Sequence, residues 1–180
     1  MKRIALLGAT GSIGRQALEI VAAHEDLELC ALASGSTDLT DLARAHGVRH
    51  VQVGGDPTAL LEAARPDLVL NAVVGFAGLP ATLWALEAGV DLALANKESL
   101  VAAGELALAA HGRGGGLLIP VDSEHSAAFQ CLDGRAAELV DSLVLTASGG
   151  PFRGRTRDQL EHATVEDALA HPTWSMGPKI

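Results

Sequence analysis

The segment Gly8-Ala9-Thr10-Gly11-Ser12-Ile13-Gly14 combines residue types and a spacing that could do chemistry. Its GxxGxxG spacing is a relative of the GxGxxG dinucleotide fingerprint, and it lies between an apolar run and an amphipathic stretch. Glycine permits a tight turn and lets the backbone approach a pyrophosphate, whose charge sits against helix N-terminal N–H groups. Thr10 and Ser12 can add hydroxyl donors. A strand-to-helix turn without ligand would use the same residues, but the position after the first strand of an alternating α/β pattern favours a nucleotide. The tip of the second strand bears on which one. NAD sites place an acid about 20 residues after the loop to hold the ribose 2′-hydroxyl. Here the tip reads Ala33-Ser34-Gly35-Ser36-Thr37, with Asp38 as the nearest acid. Without a carboxylate to repel a 2′-phosphate, NADP is preferred over NAD.

Four further clusters carry candidate chemistry. In Val121-Asp122-Ser123-Glu124-His125 the two acids stand two apart, so in an extended segment they share a face. Two hard oxygen ligands at a strand's carboxyl end suit magnesium or manganese, with substrate oxygens completing the shell. Taken alone, Asp-Ser-Glu is more often a helix cap. In Asn96-Lys97-Glu98-Ser99, Lys97 could neutralise an oxyanion and Asn96 could bond a nicotinamide or substrate; the plain alternative is a helix start capped by Ser99. Ser148-Gly149-Gly150-Pro151 could cradle a phosphate with backbone N–H groups and one hydroxyl, or be an ordinary turn. His171-Pro172-Thr173-Trp174-Ser175-Met176-Gly177 mixes a proton carrier with large apolar groups between Pro and Gly, which suits a loop that closes over a ligand.

These clusters need a scaffold. Short apolar runs at Ile4–Leu7, Leu29–Ala33, Leu68–Leu70, Leu92–Ala95, Leu117–Val121 and Leu143–Thr146 read as strands buried on both faces. Amphipathic stretches at Ile13–Ala23, Leu39–Ala45, Thr58–Ala64, Leu79–Glu87 and Leu100–Ala110 read as helices between them. The expected fold is α/β, a Rossmann-like doubly wound parallel sheet over residues 1–120, followed over 121–180 by the start of an α+β catalytic domain. The 180 residues are 48% hydrophobic but only 3% aromatic, so the core must be built from Ala, Leu, Val and Ile. Thirteen basic residues against 22 acidic ones, a net charge of −9, argue against nucleic-acid binding. Arg153, Arg155 and Arg157 read as a solvated loop. Cys30 and Cys131 form no CxxC pair, His46 and His50 read as surface residues at a helix end, and the N-terminus is too short in apolar residues for a signal peptide or membrane span. The expected compartment is a reducing cytoplasm.

In order along the chain, GATGSIG, ANKESLV, PVDSEHSA, TASGGPF and HPTWSMGPKI resemble the successive signatures of the 1-deoxy-D-xylulose 5-phosphate reductoisomerase family of the methylerythritol phosphate pathway. The resemblance runs from Lys2 to Ile180 and is weakest between Ser36 and Arg65. It implies an enzyme that rearranges a phosphorylated sugar by carbon–carbon cleavage and rejoining, then reduces the aldehyde with NADPH. It also implies that Thr10, Gly11, Ser12 and Ile13 hold the NADPH pyrophosphate, with Gly35, Asn96, Glu98 and Gly177 completing the cofactor set. Asp122 and Glu124 would ligate the divalent metal, and Lys97 and Ser123 would orient substrate hydroxyls. Ser148 would contact the substrate near its phosphate, His171 elsewhere, and Trp174 and Met176 would belong to the lid. The family continues past this segment with a third metal-binding carboxylate and a C-terminal helical domain, and its full-length members are homodimers, so these residues are expected to be its N-terminal portion. A homoserine- or dihydrodipicolinate-type reductase would share the glycine loop but not the DSE and HPTWSMG clusters. A stand-alone NADP-binding module without catalysis is the other alternative.

Overall fold

The computed structural model describes residues 1–172, apart from the side chain of Ala137. They form two compact units, Met1–Gly134 and a second from Arg135 onward. The first is a single six-stranded sheet in which every pairing is parallel. Its strands are β1 (Lys2–Leu7), β2 (Leu27–Ser34), β3 (His50–Val53), β4 (Leu68–Asn71), β5 (Asp91–Leu94) and β6 (Leu118–Pro120), in spatial order β3-β2-β1-β4-β5-β6. Five helices connect them: α1 (Ser12–Ala23), α2 (Thr40–His46), α3 (Thr58–Ala64), α4 (Leu79–Glu87) and α5 (Lys97–Gly114). A sixth, α6 (Ser123–Leu132), follows β6.

Alternation along β1 sends its side chains to two cores. Ile4 and Leu6 join Leu18 of α1 and Leu39 and Ala43 near and within α2, whereas Ala5 and Leu7 join Leu60 and Leu61 of α3, Ala85 and Leu86 of α4 and Ala107 and Ala110 of α5. In β2 a simple alternation would misdirect the run. The register jumps from Ile4 opposite Leu29 to Ala5 opposite Ala31, leaving Cys30 as an extra residue. This bulge keeps Leu29 and Leu32 on one face and Ala31 and Ala33 on the other. Arg3 secures the end of α3, donating from Nη1 to the Arg65 carbonyl (2.7 Å) and from Nη2 to that of Ala64 (2.7 Å), two acceptors the helix cannot satisfy itself.

Five expected strands and all five expected helices are present, with ends shifted by a few residues. β3 and α6 were not foreseen: β3 is a four-residue edge strand with Val51 and Val53 exposed, and α6 has no fully buried residue. The strand expected at Leu143–Thr146 is absent from the described second unit. That run is exposed, with Val144 at 83%, and a lone strand without a ladder partner has nothing to satisfy its backbone. The described part of the second unit instead holds a 3-10 turn at Ala137–Leu139 and two short α-helices, α7 (Arg157–Leu160) and α8 (Val165–Leu169), each with a capping box, Thr156 with Gln159 and Thr164 with Asp167. Arg155 lies over the Phe152 ring at 5.4 Å, and Arg157 opens α7. His46 and His50 stand at the end of α2 and the start of β3, with left-handed Gly47 closing the helix. Both cysteines are free. No helix among the described residues is long and apolar enough to cross a membrane.

One ion pair ties the amino ends of the strands together. Lys2 Nζ donates to Asp91 Oδ2 at 2.7 Å, and Asp91 Oδ1 accepts from the Leu117 N–H at 2.9 Å. The Lys2 hydrogen bond, then that of Leu117, holds the Asp91 carboxyl below its ordinary 3.8. Because the folded pKa is depressed, this stability is complete above 3.8 and is lost as pH falls through the folded value. Asp91→Asn, which can still accept from Leu117, is expected to cost about 0.5–1 kcal/mol at pH 7. Urea melts of both proteins across the acid range should show that difference shrinking toward zero below the ordinary carboxylate pKa.

Candidate functional site

Parallel pairing brings the carboxyl ends of all six strands to one edge of the sheet, and the strand order reverses between β1 and β4. A crevice forms at such a switch point, outside the carboxyl ends of the strands. One wall is the loop from Gly8 to Gly11, where the Gly8 and Ala9 N–H groups donate to the Ala33 carbonyl (2.9 and 3.0 Å) and Gly11 N–H to that of Gly8 (3.0 Å). The facing wall starts at Ala72, whose N–H donates to the Leu7 carbonyl at 2.9 Å. Gly8 has φ +83°, and a Cβ there would lie 2.6 Å from the Ala72 oxygen. At Gly14 a Cβ would lie 2.2 Å from the Gly8 oxygen, so α1 packs tightly under the loop only with glycine there. Gly11 is the N-cap of α1 and no side chain caps the helix. Its first-turn amides, at Ser12, Ile13 and Gly14, are therefore available to an anion.

At the tip of β2, Ser34 Oγ donates to the Thr37 carbonyl (2.5 Å), and Gly35 through Asp38 are exposed. The exposed Asp38 carboxylate accepts from Thr40 Oγ1 (2.8 Å) and Thr40 N–H (3.1 Å) on its own loop. Those bonds, the hydroxyl's first, hold its carboxyl below the usual range. The nearest acid is thus already engaged.

The second cluster lies after β5 and β6. Lys97 opens α5 and its Nζ donates to Asp122 Oδ2 at 2.5 Å; His125 Nδ1 stands 3.5 Å from Asp122 Oδ1. The Asp122 hydrogen bond raises the Lys97 pKa against burial, and the Lys97 bond, with help from Glu124, lowers that of Asp122. Ser123 Oγ donates to Glu124 Oε2 at 2.9 Å. An apolar hollow of about 320 Å³ lies alongside, lined by Leu94, Leu118, Pro120, Phe129, Lys97 and His125. The expectation of an extended Asp122–Glu124 segment is corrected: Asp122 is the N-cap position of α6 and Glu124 lies in its first turn. Yet the Asp122 carboxylate makes no cap bond and faces Lys97 instead. Among the described residues no three His, Cys, Asp or Glu side chains cluster as a metal site, so Asp122 and Glu124 form at most a partial ligand set.

Asn96, not Ser99, caps α5. Its Oδ1 accepts from the Ser99 N–H (2.9 Å) and Oγ, while its Nδ2 donates to the carbonyls of Val73 and Gly75 (the latter at 2.7 Å). At 1% exposure its amide is bonded within the protein on both its oxygen and its nitrogen. Glu98 follows in the first turn of α5. Buried Asn71 and Thr82 belong to the same bonded set and escaped the sequence reading; the available signal was polar residues at apolar phases of β4 and α4. His125 was also passed over. In the second unit, Ser148 Oγ and His171 Nε2 are 2.9 Å apart, and the Gly150 N–H donates to Ser148 Oγ at 3.2 Å. Trp174, Met176 and Gly177 lie outside the described residues.

Sheet order, glycine loop and carboxylate cluster define a Rossmann-like α/β protein with an oxygen-rich polar site at the carboxyl edge of its sheet. Family models narrow this: that of 1-deoxy-D-xylulose 5-phosphate reductoisomerase matches residues 4–60 and 39–104, and that of the same enzyme's C-terminal domain matches residues 118–180. The chain belongs to this reductoisomerase family. The enzyme of this name from Mycobacterium avium (strain 104) is 52% identical over 98% of the chain and 48% of its own length. The reductoisomerase from Zymomonas mobilis in complex with NADPH superposes with a TM-score of 0.82 at 35% identity, covering 94% of this chain and 51% of that one. Another, in complex with NADPH, fosmidomycin and magnesium, superposes at 0.80 with 35% identity, covering 98% and 52%. The chain spans about half the length of the curated relatives it matches.

The packing at Gly14 makes a direct prediction. Gly14→Ala must displace the Gly8 carbonyl, and should cost about 1–3 kcal/mol of stability. Urea unfolding followed by circular dichroism measures this; a loss within error would mean that the loop and α1 separate freely.

Proposed function

We propose that this chain supplies the NADPH-binding unit, the first metal-binding carboxylates and part of the substrate contacts of an enzyme that converts 1-deoxy-D-xylulose 5-phosphate to 2-C-methyl-D-erythritol 4-phosphate. The observation that carries the reading is the sharing of one sheet edge by the glycine-lined crevice and the Lys97–Asp122–Glu124 cluster. The bare glycine cradle and the uncapped start of α1 fit a pyrophosphate. The tip of β2, where Gly35, Ser36 and Thr37 are exposed and carry no acid, fits a 2′-phosphate better than a bare 2′-hydroxyl. Two adjacent carboxylates fit magnesium or manganese that keeps its remaining positions for water and substrate oxygens.

When bound, the cation would supply Lewis-acid polarisation of the substrate's oxygens and NADPH would supply the hydride. The chain's own groups bind and orient. Asp122 and Glu124 offer oxygen ligands, and the Lys97 hydrogen bond holds the Asp122 carboxyl below its ordinary range. Lys97, kept protonated by its carboxylate neighbours, offers an ammonium to an oxygen that gains negative charge as the carbon–carbon bond breaks. Ser123 offers a hydroxyl to the substrate, and the family resemblance assigns Ser148 and His171 to substrate contacts. We also propose, from the family, a homodimer in the full-length protein, and a cytoplasmic setting in keeping with two free thiols.

Fluorescence titration of the purified chain with NADPH and NADH tests the crevice. Saturable binding that favours NADPH by about tenfold or more is expected from one added charge-assisted contact; equal affinities would refute the 2′-phosphate assignment. Asp122→Asn should weaken Mn²⁺ binding, read by electron paramagnetic resonance, by about tenfold or more, while the NADPH affinity stays nearly unchanged. Equal loss of both would make Asp122 a structural residue. NADPH binding without turnover of 1-deoxy-D-xylulose 5-phosphate would favour the stand-alone cofactor-binding alternative.

A further inference from the structure

Four polar side chains are fully buried beneath the polar edge of the sheet: Asn71 at the end of β4, Thr82 in α4, and Asn96 and Ser99 at the start of α5, all 0–1% exposed. They form one continuous hydrogen-bonded set. Asn71 Nδ2 donates to the Gly78 carbonyl (2.8 Å) and to Thr82 Oγ1 (3.0 Å). Thr82 Oγ1 donates to Ser99 Oγ (3.3 Å), and Ser99 donates to Asn96 Oδ1 from both its hydroxyl and its N–H. Asn96 Nδ2 ends the set on the Val73 and Gly75 carbonyls, and Asn71 Oδ1 accepts from the Val73 N–H at 3.2 Å. The loop from Val73 to Gly78 is therefore held at both polar groups of Val73, at Gly75 and at Gly78. At its far end the loop packs closely on Asn96: a Cβ on Gly78 would lie 2.6 Å from Asn96 Nδ2.

Asn96 and Ser99 also lie at the start of α5, on either side of Lys97 and Glu98 in sequence. Helix α5 is broken at Ala103 (φ −140°, ψ 35°), which separates its first turns from the rest. So short a helical piece does not hold itself. Its direction depends on the Asn96 cap and on Ser99 beneath it, and Lys97 is the residue immediately after the cap. Apolar residues of the same size would pack this space without needing each bond. A buried polar set is stable only when all its members are satisfied, and it then admits one geometry.

We propose that Asn71, Thr82, Asn96 and Ser99 act as positioning residues that lock the crevice loop Val73–Gly78 and the lysine-bearing first turn of α5 into one arrangement. The cofactor wall and the Lys97 ammonium then keep a fixed relation. This rests on reading Val73–Gly78 as a wall of the cofactor crevice.

Amide hydrogen exchange on the 180-residue chain tests it without any ligand. Thr82→Val keeps the shape and removes the link through Thr82 between Asn71 and Ser99, leaving Asn96 bonded to both segments, whereas Thr82→Ser keeps the hydroxyl. Ser99→Ala, which retains the N–H to Asn96, cuts the same link should Thr82→Val fold poorly. Cutting the link should speed exchange in Val73–Gly78 and in Lys97–Ala102 together, on the order of tenfold, and leave β1, β2 and Gly104–Gly114 unchanged; Thr82→Ser should restore the slow exchange. An increase spread evenly over the first unit, or confined to α4, would overturn the proposal. NADPH titration of the same variants keeps the two readings apart. If the unaltered chain fails to bind NADPH, the crevice assignment falls, whereas the exchange pattern still decides the locking role. If it binds and Thr82→Val binds as well as Thr82→Ser, the link to the cofactor wall falls.

Discussion

Pairing of β1 with β4, from Ile4 opposite Leu68 to Leu7 opposite Asn71, is the contact on which the first unit is built. It joins a strand that continues outward to β2 and β3 with one that continues outward to β5 and β6. Because the ladder is parallel, both strands release the chain at the same edge, one into Gly8 and the other into Ala72. The two loops must then separate around a gap. Gly8 is where they come closest, and the 2.6 Å that a Cβ would leave to the Ala72 oxygen explains why a residue without a side chain stands there.

The same edge collects unlike chemistry for the same topological reason. β5 and β6 end one strand apart, so the residues that follow them, Lys97 and Asp122, meet although 25 positions separate them in sequence. Each partner reinforces the other's charge: the carboxylate keeps the ammonium protonated, and the ammonium keeps the carboxylate ionised. An exposed pair of this kind adds little stability. Its consequence is that a cation and two acids, Asp122 and Glu124, stand together at the carboxyl edge of the sheet.

The sequence was most informative where burial governs residue choice. Continuous apolar runs marked β1, β2, β4, β5 and β6, since strands covered on both faces leave no room for a polar phase. It was least informative at the margins. β3 needs only alternate side chains half-covered, so His50 and Gln52 interrupt any apolar run. α6 has almost no buried face, so no periodicity reveals it. Leu143–Thr146 carries strand-like residues, yet hydrophobicity alone cannot supply the neighbouring backbone that a strand requires. The Asn96–Ser99 pair was legible as a helix start, but which of the two caps it depends on the direction of one amide.

By itself the sequence determined the α/β alternation, the glycine loop that opens the first crossover, and the order of motifs that marks the family. Each of these depends on local residue type and spacing. Tertiary structure alone decided that the Asp122 carboxylate would turn from its own helix to Lys97, and that Asn71, Thr82, Asn96 and Ser99 would form one set. These outcomes are choices among hydrogen-bond partners of similar strength, and burial and strand order decide which partner comes within reach.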